Sequence, residues 1–150
     1  MNIVLDSSVL VGLLVPNDVW HKPAVDVWEA IKTAQQEIVV FDCVIAETIS
    51  VIARRLAEKG LQEEFGVLLD RMNERLPYEV ITWVLPDVPR LYREILRLIR
   101  TSSGCLNFND ALIALVCREL GISLIASFDA DFDNIPWLRR VASPQDVVSS

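Results

Sequence analysis

Short runs of continuous apolar residues alternate along this chain with longer stretches whose apolar residues return every three or four positions. Residues 2–5 (NIVL), 37–41 (EIVVF) and 123–126 (SLIA) are the short runs, and each reads as a strand buried on both faces. The segment 78–85 alternates and stops at Pro86, which predicts another strand, and 139–142 reads as a short edge strand. Between them lies helical periodicity. Ser7 and Ser8 open a helix that ends at Pro16, and residues 20–34 carry a second. Asp42 is suited to cap a helix reaching Lys59, with Gly60 as its stop. Residues 61–75, 87–101 and 107–120 predict three more, the last ended by Gly121. Strands alternating with helices predict an α/β fold: three layers, with a mostly parallel central sheet of four to five strands covered on both faces.

The 150 residues contain no Gly/Ser-rich or Pro-rich divider, so one domain spanning 1–150 is expected. A chain of this length buries roughly 70% of its unfolded surface and needs neither disulfides nor a structural metal. The longest apolar runs, 9–15 and 111–117, are far shorter than the ~18 residues of a membrane span. The first residues carry no basic cluster and meet Asp6 at once, which argues against a signal peptide and for a cytoplasmic location. Cys43, Cys105 and Cys117 are too scattered for a disulfide framework or a zinc pair, and are expected to be reduced, mostly buried thiols.

Several carboxylates stand alone in apolar surroundings. Asp6 closes the first strand, Glu47 is the sole charge between Cys43 and Ala53, Asp110 is the sole charge between Cys105 and Cys117, and Asp129 follows the strand SLIA and Ser127. Buried acids are costly unless paired or hydrogen-bonded. Two have plainer readings: with Ile45, Ile49, Ile52 and Leu56 as the core stripe, Glu47 points elsewhere and could be solvated. Asp110 could be a first-turn acid favoured by the helix dipole. Asp6 and Asp129, however, follow parallel strands at their carboxyl ends, where open α/β sheets place ligands.

If the four acids converge, mutual repulsion protonates some of them unless cations neutralise the cluster. Magnesium or manganese suits an all-oxygen donor set, whereas zinc does not, because the only histidine is His21. Such a site hydrolyses phosphodiesters without a protein nucleophile. A phosphatase with an aspartate after its first strand needs a second acid where this chain has Ser8. A receiver-type phosphoacceptor needs a late lysine, and none follows Lys59.

The motifs VLDSSVLVGLL, VIAETISVIARR, LNFNDALIALVCRELG and LIASFDADF, in this order and spanning nearly the whole chain, resemble the PIN-domain family, in particular the VapC-like toxins of bacterial and archaeal toxin–antitoxin pairs. The resemblance implies a divalent-metal-dependent endoribonuclease with Mg2+ or Mn2+ held by Asp6, Glu47, Asp110 and Asp129. Ser8 and Ser127 would position the site, Asp131 ranks second to Asp129 among the last acids, and Asp133 is read as a solvated turn residue. It also implies an RNA substrate, a cognate antitoxin and a homodimer. Ser7 and Ser127 stand where the family often has threonine, and Asn107 where serine or threonine often caps the helix; all keep hydrogen-bonding capacity. A PIN-type processing or decay nuclease without antitoxin, and a PIN-fold binding module without catalysis, are the competing readings.

Net charge is −7, unusual for a protein that binds a polyanion, although most of the 14 basic residues are arginine. Arg90, Arg93, Arg97 and Arg100 share one helical face and could contact RNA or a partner, or simply form the solvated side of an amphipathic helix. Arg139 and Arg140 carry the same ambiguity. His21 is read as structural or surface, and none of Trp20, Trp28, Trp83 and Trp137 is assigned to substrate.

Overall fold

The computed structural model describes residues 1–148. The elements run β1 (Asn2–Leu5), α1 (Ser7–Leu14), α2 (His21–Thr33), β2 (Glu37–Phe41), α3 (Asp42–Glu58), α4 (Phe65–Arg75), β3 (Ile81–Thr82), α5 (Val88–Thr101), α6 (Phe108–Leu120), β4 (Leu124–Ala126), β5 (Arg139–Val141) and α7 (Pro144–Val148). The five strands form one sheet in the order β3-β2-β1-β4-β5, and every pairing is parallel. Helices cover both faces, as the continuously apolar strands require.

β1 is central, with Ile3, Val4 and Leu5 fully buried. The order reverses around it, with β2 on one side and β4 on the other, which places the switch point of the sheet at its carboxyl end. The Asp6 N–H continues the ladder by donating to the Ala126 carbonyl at 2.9 Å. Asp6 and Ser127 are therefore neighbours.

A second apolar cluster joins α1, α3 and α4 through Val11, Leu14, Val15, Ile52, Leu56, Leu68 and Met72. Each such buried side chain contributes about 1.5–3 kcal/mol, enough to hold α3 against α1. The crossing of α1 on α2 is close. A Cβ on Gly12 would lie 2.8 Å from both the Ala24 Cβ and the Trp20 carbonyl oxygen, so only glycine fits. The Gly12 carbonyl accepts a 2.8 Å hydrogen bond from His21 Nδ1, which gives the single histidine a structural role.

Several local expectations need correction. The strand expected over 78–85 is only Ile81–Thr82, because Tyr78–Val80 forms a 3-10 turn and β3 is an edge strand paired on one side. Residues Gln62–Glu64 are likewise a 3-10 turn before α4. Asp42 is not a cap: Phe41 occupies that position, and no side-chain cap bond forms. The buried Asp42 carboxylate instead accepts from the Val84 N–H at 2.9 Å and the Leu85 N–H at 3.1 Å, fastening the segment after β3 to the start of α3. On α3 the fully buried line is Val44, Thr48, Ile52 and Leu56, while Ile45 and Ile49 are half-buried against the second cluster. Burial pushes the Cys43 and Cys117 thiols up to about 12, so both are inert, whereas Cys105 is exposed. Asp133 is engaged rather than merely solvated, since Arg140 holds both its oxygens at 2.9 Å.

Candidate acidic active site

Four elements deliver a carboxylate to one cleft of about 210 Å³, lined by Asp6, Glu47, Asp110 and Asp129 together with Ser7, Ser8, Asn107, Arg54 and Arg55. Asp6 comes from the end of β1, Glu47 from the second turn of α3, Asp110 from the first turn of α6, and Asp129 from the loop after β4. Each arrives for a local reason. The central strand ends at Asp6, α3 leans on the second cluster so that Glu47 turns inward, and Asn107 caps α6 so that Asp110 falls at its mouth.

Asp6 is buried and densely supported. Its Oδ2 accepts from Ser127 Oγ at 2.6 Å and from Ser8 Oγ at 3.0 Å. The two serines also receive backbone amides: Asp129 N–H donates to Ser127 Oγ at 3.0 Å, and Phe128 N–H to Ser8 Oγ at 3.0 Å. The loop that carries Asp129 is thus sewn to the start of α1. Asp129 Oδ1 accepts from the Asp131 N–H at 2.9 Å, which tightens the following turn.

Asp110 serves both readings that its position allows. Its Oδ2 accepts the Asn107 N–H at 3.1 Å while Asn107 Oδ1 accepts the Asp110 N–H at 2.8 Å, a complete capping box. The same carboxylate lines the cleft. Glu47 is half-buried, not solvated, and its Oε2 is buried without a hydrogen-bond partner among the described residues.

The electrostatics follow from this crowding. Burial raises the Asp6 carboxyl above the usual range, with Asp129 adding to the rise and the Ser127 and Ser8 hydroxyls opposing it. Burial, Asp6 and Asp129 raise Glu47, with the Ser7 hydroxyl and Arg54 pulling it down. Asp110 is pushed up to about 7 by burial and then by Asp6, Asp129 and Glu47, against the Asn107 amide. Asp6, Glu47 and Asp110 are raised by burial and by neighbouring acids, and an orphaned carboxylate oxygen stands among them, which is the environment that a hard cation relieves. The donors are all oxygen, with neither Cys nor His in the cleft, so magnesium or manganese fits and zinc does not. No three His, Cys, Asp or Glu side chains among the described residues are gathered tightly enough to enclose an ion unaided. Magnesium suits such an open set, since it keeps several waters and takes only one or two carboxylates besides substrate phosphates.

Of the residues expected at the site, Asp6, Glu47, Asp110, Asp129 and Ser8 meet at the cleft, with Ser127 buried behind Asp6. Asp131 does not line it. Neither do Arg90, Arg93, Arg97 and Arg100. Arg90 is held by both oxygens of Glu119 at 2.8 and 2.7 Å, tying α5 to α6, whereas Arg93, Arg97 and Arg100 are exposed. The cations beside the acids are Arg54 and Arg55, two turns along α3 from Glu47. Their spacing of seven and eight from Glu47 was a readable signal that they share its side of the helix. Asp18 was also missed: it is buried, ion-paired with Arg55, and accepts the Trp20 N–H at 2.9 Å. A larger groove of about 480 Å³ between α1, α2 and α4 is mainly apolar, so volume alone would point away from the chemistry.

The PIN domain family's sequence profile matches residues 3–138. This chain belongs to the PIN domain family. No curated protein sequence matches it significantly. Among solved structures, it is similar to the VapC20 toxin of Mycobacterium tuberculosis, described as cleaving the sarcin-ricin loop, with 24% identity over 87% of this chain and 92% of that one and a TM-score of 0.64. It is also similar to VapBC2 of Rickettsia felis, solved bound to a DNA fragment from its promoter, with 18% identity over 94% of this chain and 98% of that one and a TM-score of 0.64. These likenesses establish the VapC-type PIN fold, with its five-stranded parallel sheet between helical layers.

Proposed function

We propose that this PIN domain is a cytoplasmic, divalent-metal-dependent endoribonuclease and the toxin of a VapBC-type pair. One observation carries the reading: Asp6, Glu47, Asp110 and Asp129, contributed by four separate elements, line a single cleft where burial and mutual repulsion favour a bound cation. Asp6, Asp110 and Asp129 would hold Mg2+ or Mn2+, with Glu47 beside them. The ion, when bound, supplies Lewis-acid stabilisation of the phosphate and activation of water for in-line attack.

The chain's own residues do the positioning. Ser127 and Ser8 orient the Asp6 carboxylate and favour its charged form against the effect of burial, and the amide of Asp131 orients Asp129. Arg54, beside an Arg55 already paired with Asp18, gives a strongly acidic protein local positive charge where an RNA backbone would enter. The toxin role draws support from the fold shared with VapC20 and VapBC2. A homodimer is supported by the face on which Tyr92 and Phe108 meet across α5 and α6 with ring centroids 6.4 Å apart, Tyr92 and Leu96 being about half exposed.

The direct test incubates purified protein with total RNA in Mg2+, in Mn2+ and with a chelator. Cleavage that needs the metal and disappears in Asp6→Asn and Asp110→Asn is expected; cleavage unchanged in those variants would sink the mechanism. Growth arrest on expression, relieved by a co-expressed neighbouring gene product, tests the toxin role separately.

A further inference from the structure

An aromatic pair that the chemistry above leaves unused is tied to two residues of the cleft lining, Asp129 through its chain neighbour Phe128 and Arg55 through Asp18, although neither ring lines the cleft itself. Trp20, in the turn between α1 and α2, stacks on Phe128 with ring centroids 4.7 Å apart and planes inclined by 10°. Phe128 lies between Ser127 and Asp129, and its N–H is fastened to Ser8. The lower ring of the stack is therefore part of the loop that carries a cleft carboxylate.

Trp20 is fixed just as firmly from its own side. Its N–H donates to Asp18, whose other oxygen pairs with Arg55 on the wall of the cleft. Its carbonyl accepts the Ala24 N–H at 2.9 Å and occupies the space that Gly12 leaves open. Yet the residue remains 39% exposed. A tryptophan is ordinarily well buried, whereas here the backbone is pinned, Phe128 covers one ring face and the residue as a whole remains more than a third exposed. That is a preorganised binding surface, since little conformational freedom remains to be lost when a ligand arrives.

The shape of the surface selects the ligand. Two nearly parallel rings beside carboxylates suited to a phosphodiester match a planar nucleobase, which stacks on aromatic faces whatever its sequence. We propose that Trp20, seated on Phe128, is a stacking platform for an unpaired base of the RNA whose backbone enters the acidic cleft. The assignment rests on the ribonuclease reading of that cleft and names a substrate-binding residue for it.

The test separates binding from cleavage. With a chelator present, affinities are measured for single-stranded oligoribonucleotides of about ten nucleotides, within the span that single-strand grooves cover. Trp20→Ala should weaken binding about tenfold, the usual loss of one base–aromatic stack, while Trp20→Phe should recover most of it. Abasic substitutions scanned along the strand should weaken wild-type binding at one position and leave Trp20→Ala indifferent there. In Mg2+ the loss should appear in KM rather than in kcat. Equal affinities for wild type and a folded Trp20→Ala would overturn the platform, as would an abasic scan without a sensitive position in wild type. Normal RNA affinity in Trp20→Ala with lost binding of a protein partner would also overturn it, placing a protein side chain there. Wild-type protein that neither binds nor cuts any RNA fails the ribonuclease reading itself, a separate result.

Discussion

Ser127 Oγ donates a 2.6 Å hydrogen bond to Asp6 Oδ2, joining the end of β4 to the end of β1 across 121 positions of sequence. The bond favours the charged form of a buried carboxylate whose surroundings disfavour it. Ser127→Ala should cost about 2 kcal/mol of stability, the usual value of a hydrogen bond to a charged group, and should weaken Mn2+ binding measured by calorimetry. Ser127→Thr keeps the hydroxyl and should retain both. Unchanged metal affinity in the alanine variant would show that the serine is only structural.

Without metal, stability should fall as pH rises. Asp110 shifts from 3.8 to about 7 in the folded protein, and Asp6 and Glu47 shift in the same direction. The folded state therefore binds these protons more tightly than the unfolded chain. The stability they contribute is complete below about pH 3.8 and is lost as pH rises through about 7. Thermal melts in chelator should drop by roughly 5 °C between pH 5 and 8, and added Mg2+ or Mn2+ should reduce the drop by favouring the ionised carboxylates. A melting temperature that rises over this range in chelator would contradict the assignment.

Gly12→Ala should be destabilising by about 1–3 kcal/mol, as expected for overpacking, because the new methyl would meet the Trp20 carbonyl and Ala24 at 2.8 Å. Denaturant unfolding measures the loss directly. Gly66, whose Cβ would meet nothing within 4 Å, is the control: Gly66→Ala on helix α4 should be neutral or stabilising.

Arginines should divide by position rather than by number. Arg54→Ala should lower RNA affinity in chelator and reduce the salt dependence of binding by about one counterion. Arg90→Ala, whose partner is Glu119 on α6, should leave RNA affinity unchanged. The reverse pattern would move the RNA path onto α5.

How much was legible in advance depended on the range of the interaction involved. The lone carboxylates were visible because a charge in an apolar run is costly wherever the chain goes, and Asp6, Glu47, Asp110 and Asp129 do share one cleft. Asp42 reads as a helix cap and Asp18 attracts no reading because their partners are far away in sequence: the amides of Val84 and Leu85 for one, Arg55 for the other. An acid next to a helix start looks like a cap unless the segment 42 positions later is known to lie beside it. β3 was overdrawn for a related reason. Alternation predicts a strand, but an edge with one neighbour sustains only two residues before Asp42 captures the chain.

The sequence by itself determined most of the elements, their order, and the family, since periodicity and the spacing of acids are local and survive without a structure. Tertiary structure decided which groups are neighbours. The strand order β3-β2-β1-β4-β5 sets Ser127 on Asp6, Phe128 under Trp20, and Arg54 rather than Arg90 beside the acids. The physical reason is that charge and stacking act through space over a few ångströms, and only the packed sheet fixes those distances.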